Sequence, residues 1–68
     1  MTIAEKMKQY IDENGLKQKA IAQRASMRED AVSNMLRSKR KMTVDEYISI
    51  CHAIGVPPQK FLDGEGKR

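Results

Sequence analysis

The chain has 68 residues, 40% of them hydrophobic and 32% charged, and carries a net charge of +4. That is enough for one small domain with a thin core and too little for a second. No run approaches the length of a membrane span, the N-terminus lacks the apolar stretch of a signal peptide, and Cys51 alone can close no internal disulfide, so a soluble intracellular domain is expected.

Thr2 and Glu5 have the spacing of a capping box, in which a hydroxyl and a carboxylate satisfy each other's backbone amides. The first helix is therefore predicted to begin near Thr2. Ile3, Met7, Tyr10 and Ile11 make its apolar stripe, with Lys6, Lys8, Gln9, Asp12 and Glu13 outside. Asn14-Gly15 ends it, since glycine suits the left-handed conformation that closes a helix. It reads as scaffold.

From Leu16 to Lys41 the sequence reads as two short helices joined by a tight turn. Ile21, Ala22 and Ala25 give the first an apolar face, over about Gln18 to Ala25; Val32, Met35 and Leu36 give the second, over about Glu29 to Arg37. Helices this short cannot bury both faces against each other alone, so flanking helices must hold the pair while one outer surface stays free. Glu29, Asp30, Ser33, Asn34 and Arg37 fall on or beside that surface. Residues 17–41 hold eight basic side chains against Glu29 and Asp30, a net of +6 that leaves −2 for the rest. Positive charge gathered there fits a polyanionic partner, the plain alternative being a solvated charged face. Lys39-Arg40-Lys41, just past the second helix, are placed to neutralise phosphates.

Thr43 with Glu46 is a second capping box, so another helix begins near Val44. Val44, Tyr47, Ile48, Cys51 and Ile54 share one face and Ile50 widens it, which leaves Ile50 for a partner. Cys51 is expected to be a small buried hydrophobe, and His52, without a Cys or His at metal spacing, a surface residue. Gly55 stops the helix. Within Val56 to Leu62, Pro58 suits the first turn of a short helix, where a missing amide costs nothing. Of Phe61 and Leu62, one completes the core and the other is free for an interface. Mixed charge and two glycines in Asp63–Arg68 predict a disordered tail, drawn at 64–68 behind one domain over 1–63. No glycine-rich phosphate loop, metal-ligand cluster or nucleophile beside a base supports an enzyme, and no cofactor or small-molecule ligand is expected.

The order of Leu16, Ile21, Ala22, Met27, Val32 and Met35, the basic Lys39-Arg40-Lys41, and then Ile54-Gly55-Val56 is similar to the helix-turn-helix domains of the Cro and phage-repressor (XRE) family. The resemblance implies an all-α, lambda-repressor-like bundle of about five short helices. It implies a homodimeric, sequence-specific regulator of transcription in a bacterial or phage-encoded cytoplasmic setting, with repression the expected mode and a palindromic operator as partner. It carries base contacts onto Glu29, Asp30, Ala31, Ser33 and Asn34, of which Asn34 suits adenine and Ala31 a thymine methyl. It carries phosphate contacts onto Gln18, Arg28, Arg37, Lys39, Arg40 and Lys41, and a two-fold interface onto Ile50, Phe61 and Leu62.

Three features depart from the family pattern. Lys17 stands where a hydroxyl cap is usual. Ser26 and Ser38 stand where glycine is often found, which implies strain or altered geometry at both turns. Glu29 and Asp30 face the phosphates, and three readings of them stay open: they stabilise the helix start, read cytosine, or mark a helix that no longer binds DNA. The last keeps a second class in view, a protein-interaction module of antitoxin or anti-repressor type.

Overall fold

The computed structural model describes residues 2–62. Within them the chain forms α1 (Ile3–Glu13), α2 (Gln18–Arg24), α3 (Glu29–Leu36), α4 (Val44–Ile54) and a 3-10 turn (Pro58–Phe61). No strand occurs among the described residues. The all-α expectation holds, with the fifth element a single 3-10 turn and α2 and α3 each one residue shorter than expected. The domain boundary at 63 and the tail at 64–68 lie outside the described residues.

Helices of 7 to 11 residues fall below the roughly 12–15 at which isolated helices become even marginal, so packing must hold them. The shared core takes Met7 and Ile11 from α1, Ile21 and Ala22 from α2, and Val32, Met35 and Leu36 from α3. Ile50, Cys51 and Ala53 of α4 and Phe61 of the 3-10 turn complete it. α3 packs on α1 and α2, while α4 packs on α2 and the 3-10 turn. Tyr10 meets Phe61 edge-on, with centroids 5.8 Å apart, and the Lys60 ammonium lies 5.0 Å over the Tyr10 ring. The Tyr47 hydroxyl donates to the Pro58 carbonyl. Together these contacts pin the 3-10 turn against α1 and α4.

Two interface expectations are corrected by this packing. Ile50 is 0% exposed and Phe61 4%, so both belong to the core and neither is available to a partner. Apolar residues flank both sides of α4, and spacing alone could not choose between them. Ala53, small enough to allow close approach, turns the Ile50–Ala53 side inward, and Arg24 of α2 locks the contact by donating to the Ala53 carbonyl at 3.3 Å. Val44 and Ile48, expected inside, are left 74% and 36% exposed; Leu62 is 47% exposed.

Both capping boxes form. Thr2 and Glu5 exchange bonds of 2.8 and 3.1 Å, Thr43 and Glu46 bonds of 3.0 and 3.1 Å. The four C-termini share one device, a residue at positive φ wrapped by two backbone bonds, one spanning five residues and one spanning three. At α1 these are Leu16 N–H to Ile11 and Gly15 N–H to Asp12; at α2, Met27 to Ala22 and Ser26 to Gln23. At α3 they are Lys39 to Asn34 and Ser38 to Met35, and at α4 Val56 to Cys51 and Gly55 to His52. The wrapped residues have φ of 65° (Gly15), 57° (Ser26), 61° (Ser38) and 78° (Gly55). The serines thus keep the geometry of glycine and carry the strain anticipated from the sequence.

A left-handed non-glycine residue costs roughly 1–2 kcal/mol, partly offset by the greater flexibility glycine gives the unfolded chain. Ser26→Gly and Ser38→Gly should therefore each raise unfolding free energy by about 0.5–1 kcal/mol. Gly15→Ser, where open space leaves backbone strain as the cost, should lower it by a similar amount. Urea unfolding followed by helical circular dichroism checks all three, and a destabilised Ser26→Gly would contradict the strain.

Candidate nucleic-acid interface

The turn between α2 and α3 comprises Ala25 to Arg28, and it fixes α3 against α1 and α2 through Val32, Met35 and Leu36. At 3.6 residues per turn, that buried side leaves Asp30, Asn34 and Arg37, spaced by four and three, as the outermost row of α3. Ser33 lies beside the row and Ala31 on the opposite flank. Glu29, Asp30 and Arg37 are exposed, while Ala31, Ser33 and Asn34 are half-buried.

The bonding within this face is specific. Arg37 Nη2 donates to Ser33 Oγ at 3.2 Å, which ties two of the anticipated DNA-contacting residues together. The Asn34 side-chain amide has no hydrogen-bond partner among the described residues. Arg28, the residue just before α3, forks onto Asp30: Nε to Oδ1 at 3.1 Å and Nη2 to Oδ2 at 3.4 Å. No side chain caps the start of α3, so the acidic pair provides no capping bond. Both carboxylates stand in the first turn, where negative charge meets the positive end of the helix. α2 likewise starts without a side-chain cap at Lys17, as its sequence implied, and Gln18 is half-buried in its first turn.

The basic segment divides in two. Lys39 and Lys41 are exposed and without ion-pair partners among the described residues. Arg40 Nη2 instead reaches Glu46 Oε2 at 2.9 Å, while Glu46 Oε1 accepts the Thr43 amide at 3.0 Å. One carboxylate therefore caps α4 and tethers the basic loop. The Thr43 backbone bond, with Arg40 as second contributor, holds the Glu46 carboxyl below its ordinary range. Sequence reasoning found Glu46 only as a cap, because the return of Arg40 depends on the path of the loop.

The same loop walls a groove of about 710 Å³ that runs between the start of α1, the first turns of α4 and the end of the described chain. Ile3, Met42, Val44, Ile48 and Leu62 line it. Among the described residues no cluster of three His, Cys, Asp or Glu side chains could hold a metal, and no helix is long and apolar enough to cross a membrane. Cys51 is fully buried, and desolvation pushes its thiol up, against an opposing bond from Tyr47.

A family model described as "Helix-turn-helix" matches residues 7–61, from the middle of α1 through the 3-10 turn. No curated protein and no solved structure matches the chain.

A carboxyl whose folded pKa lies below its unfolded one stabilises fully above the unfolded value and loses that contribution as pH falls through the folded one. The Glu46 tether should thus be whole above pH 4.5, the ordinary glutamate value, and weaken below it. In a thermal series from pH 7 to 3, Glu46→Gln should melt lower than wild type at neutral pH. The gap should close on acidification, and a constant gap would place the loss elsewhere.

Proposed function

The chain belongs to the XRE type of the helix-turn-helix DNA-binding family, and on that premise we propose that it is a homodimeric transcriptional repressor that reads a palindromic operator. α3 enters the major groove, and the protein represses by occluding polymerase. The observation that supports this best is the pairing of an unpartnered reader with an unpartnered clamp. The Asn34 side-chain amide lies in the outer row of α3, and the backbone carbonyl of the same residue accepts the Lys39 backbone N–H at 2.8 Å. A base-edge contact and a phosphate contact are thereby linked through one backbone bond.

The roles divide by chemistry. Asn34 makes a two-bond contact to adenine, Ser33 bonds a base edge, and Ala31 meets a thymine methyl. Lys39 and Lys41 neutralise phosphates and set register without reading sequence, helped by Gln18 and by Arg37 on the outer row. Arg40 changes partner from Glu46 to phosphate when the duplex arrives.

A second copy covers the apolar groove. Val44, Ile48 and Leu62 are large, exposed and neighbours in its lining, and burying them removes apolar area from water. This moves the proposed two-fold away from Ile50 and Phe61 and keeps Leu62. The operator then consists of half-sites about one helical turn apart.

Selection of bound sequences from a random duplex pool tests the reading. An inverted repeat should emerge, and Asn34→Ala should lose roughly 1–3 kcal/mol on it and little on non-specific DNA. Lys39→Ala should weaken all DNA evenly and reduce the salt slope by about one ion. No enrichment, with binding that vanishes in modest salt, would instead support the protein-interaction reading. Val44→Asp should give a folded monomer by sedimentation, and the enriched inverted repeat should collapse to a single half-site; a dimer that persists would remove the groove from the interface.

A further inference from the structure

Asp30 sits in the outer row of the helix assigned to the groove, where an isolated carboxylate would oppose phosphate. Its own geometry removes the difficulty. Both carboxylate oxygens are taken by one guanidinium, that of Arg28, through Nε and Nη2 at 3.1 and 3.4 Å. A guanidinium carries five N–H donors in a rigid plane. The side edge, made by Nε and Nη2, is spent on Asp30. The end edge, made by Nη1 and the second hydrogen of Nη2, makes no bond among the described residues.

We propose that Arg28 is a base-reading residue, held by Asp30 so that the free end edge of its guanidinium meets N7 and O6 of a guanine in each half-site. This rests on the DNA-binding reading above and assigns Arg28 a role other than the phosphate contact expected from the sequence. Two arguments carry it. The first is charge: the pair is neutral as a unit, so it gains little from counterion release at a phosphate, yet it keeps the two parallel donors that match guanine. The second is order. The side chains of Arg28 and Asp30 are 85% and 65% exposed, and a free arginine there would sample many rotamers. The fork restricts them before DNA arrives, and an ion pair that is weak in water strengthens once the duplex excludes solvent.

The location is consistent. Arg28 has extended backbone, φ −76° and ψ 144°, at the head of α3, so its guanine lies at the end of the half-site met by the first turn. Asn34, about one and two-thirds turns on, reads a base further along.

The test is random-duplex selection, followed by affinity and salt titrations on the enriched site, with wild type, Asp30→Asn and Arg28→Ala/Asp30→Ala. Wild type should show a guanine preferred by roughly 5- to 140-fold at one end of the half-site. The double variant removes a neutral pair. It should abolish that preference, keep the other positions of the site and leave the salt slope unchanged. Asp30→Asn frees the arginine, so the preference should relax while non-specific binding tightens and its salt slope steepens by up to about one ion. Guanine preference retained in the double variant, or even weakening at every position, overturns the assignment while the DNA-binding reading stands. A wild-type protein that enriches no site overturns both. Since both side chains are exposed, helical circular dichroism should be unchanged in each variant.

Discussion

Each of the four helices is closed by one residue at positive φ, and the direction of everything downstream depends on those four positions. The reversal at Ser26 aims α3, and the reversal at Ser38 aims the basic loop. Helices of two or three turns have little intrinsic persistence, so a termination that drifted by one residue would rotate the next apolar face by about 100° and take it off the core. The two wrapping bonds at each end prevent this drift. After three of the four reversals the next residue is apolar: Leu16, Met27 and Val56. After α3 it is Lys39, so at this one end a hydrophobic anchor is exchanged for an exposed cation.

That exchange leaves the basic loop in need of another hold, which Glu46 provides. Its carboxylate is divided between the Thr43 amide and Arg40, so the cap of α4 and the position of the loop are one structure. The opposite end of α3 is organised in the same way, with Asp30 holding Arg28. Cations at both ends of α3 are thus placed by carboxylates, while Lys39 and Lys41 form no ion pair among the described residues. Net charge alone describes the surface poorly, because two of its arginines are already matched within the fold.

Local signals were legible where a short rule governs them. The capping boxes, the end of α1 at Gly15 and the strained serines follow from spacing or from single residue types. α4 was not legible, because apolar residues at 44, 47, 48, 50, 51 and 54 span an arc of about 160°, which Ala53 widens beyond half the circumference. The small Ala53 and the reach of Arg24 decide which part turns inward, and both are tertiary facts. Arg28 and Asp30 escaped for another reason. Residues two apart do not face each other on a helix, but Arg28 stands before the first turn with extended backbone, so its side chain can swing back. Arg40 and Glu46 are six apart across a loop, a separation no periodicity describes.

The burial of Cys51 gives the molecule an internal clock. Only a thiolate reacts with electrophiles or disulfides, and here full burial denies access while desolvation keeps the proton on sulfur. The thiol lies between α4 and the rest of the core, so it becomes reactive when that packing opens. Modification of Cys51 therefore requires the domain to open: a slow reagent reads the equilibrium share of open chains, and one that outpaces reclosing reads how often a chain this small lets go of its centre.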